Sequence, residues 1–145
     1  MPVYNYITLD QALKTHVMTI EHSGGGIGII RDIGPLAGVL ENIQNDEWYP
    51  TFADKLTHLF FSTCKFHCFA DGNKRMAITL SAQFLLYNGY VGVVQTFFRD
   101  MENISYHVAA GNIDKDLLNE IMHAILAQTY DTDEELKLKI FNAIS

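Results

Sequence analysis

The stretch from Lys74 to Asn88 is apolar almost all round. Met76, Ala77, Ile78, Leu80, Ala82, Phe84, Leu85 and Leu86 are interrupted only by Thr79, Ser81 and Gln83. A helix with no polar face has to be enclosed by other elements. Asn88-Gly89 ends it, with Gly89 suited to a left-handed cap. The chain is therefore read as all-α, a bundle around a central buried helix. Its 145 residues fit a single domain spanning 1–145, and a domain of that size buries about 70% of its unfolded surface without covalent staples.

The flanking sequence supplies the other helices. Thr8-Leu9-Asp10 can cap one running to about Glu21, with Leu9, Leu13, Val17 and Ile20 on one face. Gly34-Pro35 opens a second through about Ile43. Asn45 to Pro50 reads as a loop, and Thr51 with Asp54 as the cap of a third helix carrying Phe52, Leu56, Leu59, Phe60 and Thr63, with His67 four residues further on. Gly92 to Phe98 reads as a short extended stretch, followed by a helix from Asp100 to Ala110 that Gly111-Asn112 ends. Asp114 caps the next helix, and Thr132-x-x-Glu135 reads as a capping box for the last, with Leu136, Ile140 and Ile144 inward.

Composition removes several function classes. The formal net charge is −7, against a generic nucleic-acid-binding surface, which needs clustered Lys and Arg. No run reaches the ~20 apolar residues of a membrane span, and the opening residues lack the basic and apolar regions of a signal peptide. A soluble, cytoplasmic protein is expected. Cys64 and Cys68, four apart, make no disulfide framework.

The chemically informative segment is His67-Cys68-Phe69-Ala70-Asp71-Gly72-Asn73-Lys74-Arg75, joining the third helix to the central one. A helix start presents unpaired backbone N–H groups and the positive end of the dipole, which suits an anion. Gly72 lets the backbone approach a ligand closely. Lys74 and Arg75 put two cations where the dipole disfavours them, so a negative ligand is expected, phosphate being the natural one. Asp71 adds a carboxylate of the kind that holds magnesium together with phosphate oxygens. His67 is the base in reach of a hydroxyl. Together these residues suit phosphoryl or nucleotidyl transfer, although a helix-joining Asp-Gly-Asn turn with solvated Lys and Arg, and a structural His, is an equally available reading.

The string His67-x-Phe69-x-Asp71-Gly72-Asn73-Lys74-Arg75 resembles the signature of the Fic/Doc family, in its death-on-curing (Doc-like) version. Gly24-Gly25-Gly26-Ile27-Gly28 through Arg31-Asp32 resembles an early segment of the family, and Phe84-Leu85-Leu86-Tyr87-Asn88-Gly89-Tyr90 the phrase ending its central helix. The resemblance runs in order from about Leu9 to Ala127. It implies the Fic/Doc helical bundle, ATP and Mg2+ as cofactors, and a protein hydroxyl as acceptor. By that similarity His67 would be the general base, Phe69 a loop anchor, Asp71 the metal ligand, Gly72 and Asn73 the shapers of the phosphate nest, and Lys74 and Arg75 the phosphate-binding cations.

Most Fic motifs carry Gly where Lys74 stands, and those enzymes transfer AMP. Doc, with Lys, transfers phosphate to elongation factor Tu and arrests translation. The resemblance thus implies a kinase-type toxin acting on a translation factor and controlled by a separate antitoxin, with adenylyl transfer as the alternative and a non-catalytic partner-binding module as a further one. The family's self-inhibitory pattern is absent, since Ala37 precedes Glu41-Asn42 where a hydroxyl would stand. Met76 replaces a small or polar residue, which would narrow the pocket or alter the target.

Other groups weigh less. Cys64, His67 and Cys68 have zinc-like spacing but no fourth ligand nearby, and Cys64 reads better as a small core residue. No strand precedes the Gly24–Gly28 cluster, so a Rossmann or phosphate-binding loop is disfavoured and a helix connector preferred. Arg31 and Asp32 would shape the site wall. Trp48 and Tyr49 are candidates for a flap over the target peptide, with packing as the competing role for Trp48. His16 and His22 suit core or surface roles, and His58, His107 and His123 have no evident partner.

Overall fold

Residues 3–22, 33–65 and 72–145 are described by the computed structural model, and every regular element among them is helical. The order is α1 (Leu9–His22), α2 (Gly34–Asn42), α3 (Phe52–Lys65), α4 (Asn73–Tyr87), α5 (Val91–Ala109), α6 (Lys115–Leu126), a single 3-10 turn (Tyr130–Thr132) and α7 (Glu134–Ile144). The all-α expectation holds.

The central helix α4 is packed between α1, α3 and α5. Met76, Ala77, Ile78, Leu80, Ser81, Ala82, Phe84 and Leu85 are buried, and only Leu86 of its apolar set is exposed. α3 shares the centre, contacting α2, α4, α5 and α6. Phe52 at its start stacks on Phe84 and Tyr90, with ring centroids 4.7 and 4.9 Å away. The start of α3 thus meets the end of α4, the two run antiparallel, and the motif joins their other ends.

Several predicted boundaries hold in atomic detail. Thr51 and Asp54 cap α3 reciprocally: the Asp54 N–H donates to Thr51 Oγ1 at 3.1 Å and the Thr51 N–H to Asp54 Oδ2 at 3.2 Å. Asp114 Oδ1 accepts from the Leu117 N–H at 2.8 Å. Gly89 and Gly111 have φ of +87° and +85°, the left-handed conformation that ends α4 and α5.

Three expectations fail. Gly92 to Phe98 is not extended but lies within α5. Val93, Phe97, Met101, Ile104 and Val108 form one buried stripe, and packing that stripe outweighs the strand preference of the valines and phenylalanines. The last helix is capped by Asp133 rather than Thr132, which belongs to the 3-10 turn; Asp133 Oδ1 accepts from the Leu136 N–H at 3.0 Å. In α1 the inward side passes through Ala12 and His16, while Val17 is exposed.

Lys55 is fully buried. Its Nζ donates to the Ile43 carbonyl at 2.7 Å and to Asp46 Oδ1 at 2.8 Å, and lies 5.8 and 5.7 Å from the ring centres of Tyr4 and Tyr6. A charge this deep is tolerable only with such partners. It ties the N-terminal segment and the loop after α2 to α3. The same segment is latched to the end of α4. The Asn5 N–H donates to Asn88 Oδ1 at 2.8 Å, Asn5 Nδ2 to the Tyr87 carbonyl at 3.0 Å, and Asn88 Nδ2 to the Asn5 carbonyl at 2.9 Å.

Candidate functional site

His67, Cys68, Phe69 and Asp71 lie outside the described residues, as do Gly24–Gly28, Arg31 and Asp32. Gly72, Asn73, Lys74 and Arg75 are described and together form the start of α4. Gly72 occupies the N-cap with φ +80° and ψ +19°, left-handed backbone that costs a residue with a β-carbon about 1–2 kcal/mol. Its carbonyl accepts from the Met76 N–H at 2.8 Å, closing the first helical turn. A glycine cap brings no side chain over the end of the helix. Lys74 in that turn is exposed, and Asn73 and Arg75 are half-buried. A left-handed glycine, a helix start and an exposed cation fit the phosphate groups of a nucleotide. Met76 is fully buried in the core, so it supports the first turn from below instead of facing a ligand.

Cys64, in the last turn of α3, is buried, with Sγ 4.0 Å from the Ser105 carbonyl. Burial pushes its thiol up to about 12, although Lys74 and Lys65 pull the other way. A thiol held protonated is an inert core group and a poor metal ligand. Lys65 and Lys74, acting on the same thiol from the facing ends of α3 and α4, identify Lys65 as a further cation at the motif end of the bundle. Sequence reasoning passed over it, because a lysine in the last turn of a helix is already explained by the dipole. The available signal was its position two residues before His67.

Trp48 and Tyr49 are not at this end. They precede α3, whose 14 residues span about 20 Å, and the start of α3 meets the end of α4. Tyr49 stacks on His58 with centroids 4.5 Å apart, and Trp48 beside it in the chain is exposed. Both belong to a separate cluster beside the first half of α3. His58 Nδ1 is 2.8 Å from Lys115 Nζ and 3.4 Å from Ser62 Oγ. Burial, then the Lys115 charge, lowers its pKa to about 4. His107 pairs with Asn112 Nδ2 at 3.0 Å, and His123 lines the groove between α6 and α7 with Glu120 and Lys139. His16 is buried, which lowers its pKa.

Among the described residues no three His, Cys, Asp or Glu side chains converge on a metal position, and the carboxylate expected to hold one, Asp71, is outside them. No helix among the described residues is long and apolar enough to cross a membrane.

Compared with known proteins, the chain matches the family model described as Fic/DOC family over residues 6–85. No curated protein and no solved structure matches it. Members of that family are in general transferases acting on protein hydroxyls, and they generally use ATP and Mg2+. The matched span runs from the N-terminal segment over Lys55 through α1–α3 and the motif to Leu85 near the end of α4, more than half of the chain, and so takes in the glycine-capped helix start together with the histidine and aspartate before it. On that match, the chain belongs to the Fic/DOC family.

Proposed function

We propose that the chain is a single-domain, Doc-like toxin that transfers a phosphate from ATP to a hydroxyl of a translation factor of the elongation factor Tu kind, under the control of a separate antitoxin. The observation that carries the reading is the start of α4, where left-handed Gly72 precedes an exposed Lys74 at the position occupied by Gly in adenylyl-transferring relatives. In this reading His67 takes the proton from the acceptor hydroxyl, Asp71 holds Mg2+, Gly72 and Asn73 shape the phosphate nest, and Lys74 and Arg75 bind the phosphates. ATP supplies the transferred group. In this reading the Lys74 side chain would fill part of the nucleotide pocket and would favour the orientation that turns the γ-phosphate toward the target.

Incubation of the chain with a translation extract and ATP labelled at the γ- or the α-phosphate tests the proposal. Label from the γ position on a translation factor, with growth arrest by the wild type and none by His67→Ala, is expected. Label from the α position means adenylyl transfer. Growth arrest undiminished in His67→Ala means a binding mechanism.

A further inference from the structure

Beside the first half of α3, a cavity of about 320 Å3 is lined by Trp48, Tyr49, Asp54, Thr57, Lys115, Asp116 and Asn119. Lys115 is the first residue of α6, where the helix dipole opposes a positive charge. Its Nζ lies 2.8 Å from His58 Nδ1 and 5.5 Å from the centre of the Tyr49 ring. His58 Nε2 is buried with no hydrogen-bond partner among the described residues. The tautomer with the proton on Nε2 leaves Nδ1 as an acceptor facing both Lys115 and Ser62. Asp54, the other carboxylate in the cavity, is engaged by Thr51 and Asn119. Asp116, adjacent in sequence, is the acidic group that favours the ammonium form.

We propose that Lys115 is a nucleophilic amine and a site of acyl modification by small acyl donors with an activated carbonyl, with His58 Nδ1 as the hydrogen-bond acceptor that orients it. Nζ of the neutral amine attacks the carbonyl carbon. The N–C bond forms as the bond from that carbon to the leaving oxygen or sulfur breaks, and the leaving group takes the electron pair. The surplus proton on nitrogen passes to the departing group or to water, while His58 Nδ1 accepts the hydrogen bond that holds the amine in place. Burial, partly offset by Asp116, also lowers the Lys115 pKa, which enlarges the reactive fraction. Lys14 is exposed and paired with Asp10, and Lys139 is raised by its hydrogen bond to Glu120. The three lysines should therefore react in the order Lys115, Lys14, Lys139.

The test exposes the intact chain to acetyl phosphate, and separately to acetyl-coenzyme A, from pH 6.5 to 9.5 (about the span between the ordinary pKa values of His and Lys), and quantifies each acetyl-lysine by peptide mass spectrometry. Lys115 is expected to react several-fold faster than Lys14, with its rate levelling off at lower pH. Labelling by either donor alone supports the proposal and identifies the source. A Lys115 rate no greater than that of Lys14 with both donors overturns it. In His58→Gln, checked for folding by circular dichroism, Lys115 should lose its advantage; an unchanged rate in a folded variant removes His58 from the proposal. The wild-type pH profile decides the reactivity of Lys115 whether or not that variant folds. None of these readouts requires transferase activity.

Discussion

Individual side chains carry two of the costs this fold tolerates. Lys55 gives up all solvation and recovers it from a carbonyl, a half-exposed carboxylate and two tyrosine faces. Asp46→Asn keeps the shape and removes the countercharge, and should lower stability by about 1.5–3 kcal/mol, read as a lower urea midpoint at unchanged m-value. Ser81 is the opposite case, a fully buried hydroxyl with no hydrogen-bond partner among the described residues. The buried threonine hydroxyls of α3 instead return to the preceding turn, Thr57 to the Ala53 carbonyl and Thr63 to the Leu59 carbonyl, both at 2.7 Å. Ser81→Ala removes an unsatisfied group at almost no change in volume, so it should raise the urea midpoint by the equivalent of about 1 kcal/mol. Neither position announces itself in the sequence. A lysine in an amphipathic helix reads as solvated, and a serine in an apolar one as an interruption; only the tertiary neighbours decide.

For the helices, the start of α4 joins sequence to chemistry most directly. Gly72→Ala places a β-carbon at φ +80° and should cost about 1–2 kcal/mol. It should also weaken ATP binding, measured by titration calorimetry, whereas Gly38→Ala in the body of α2, where an added β-carbon meets nothing within 4 Å, should leave binding unchanged. Helix ends were the most legible part of the fold because caps are local chemistry: Thr51 with Asp54, Asp114, Gly89 and Gly111 all act where their residue types imply. Residues 92–98 were misread because paired valines and phenylalanines favour strands locally, while the stripe that makes them helical extends to Val108. The α1 face was misread for a related reason. Its inward side holds Ala12, His16 and Thr15, the last bonded to Gln83 at 2.8 Å, so small and polar residues let α1 approach α4 while Val17 stays outside. The motif was legible as a string of residues, but the placement of Trp48, Tyr49 and Lys65 depends on which helices meet and where.

Across the molecule, acid stability should bear the mark of its buried imidazoles. The folded-state pKa of His58 is about 4 against an ordinary 6.5, so between those values the unfolded chain binds more protons than the native one. Stability is then complete above about pH 6.5 and falls as the pH drops toward 4, with His16 acting in the same direction. Asp54 behaves differently. Burial opposes its ionisation, but hydrogen bonds from Thr51 and Asn119 hold it below the usual carboxylate value, and its contribution is lost only at still lower pH. Urea midpoints measured from pH 7.5 to 4 should decline, and His58→Gln should flatten the curve. The asparagine latch between residues 5 and 88 has a consequence for the order in which the molecule is built. The segment around Asn5 has no docking place until the end of α4, 83 residues further along, has been synthesised, so it waits undocked over that length with the tyrosine cover over Lys55 unmade. An Asn5→Ala nascent chain should therefore stay protease-sensitive around residue 5 after α4 has emerged, whereas the wild type should become resistant there at that length.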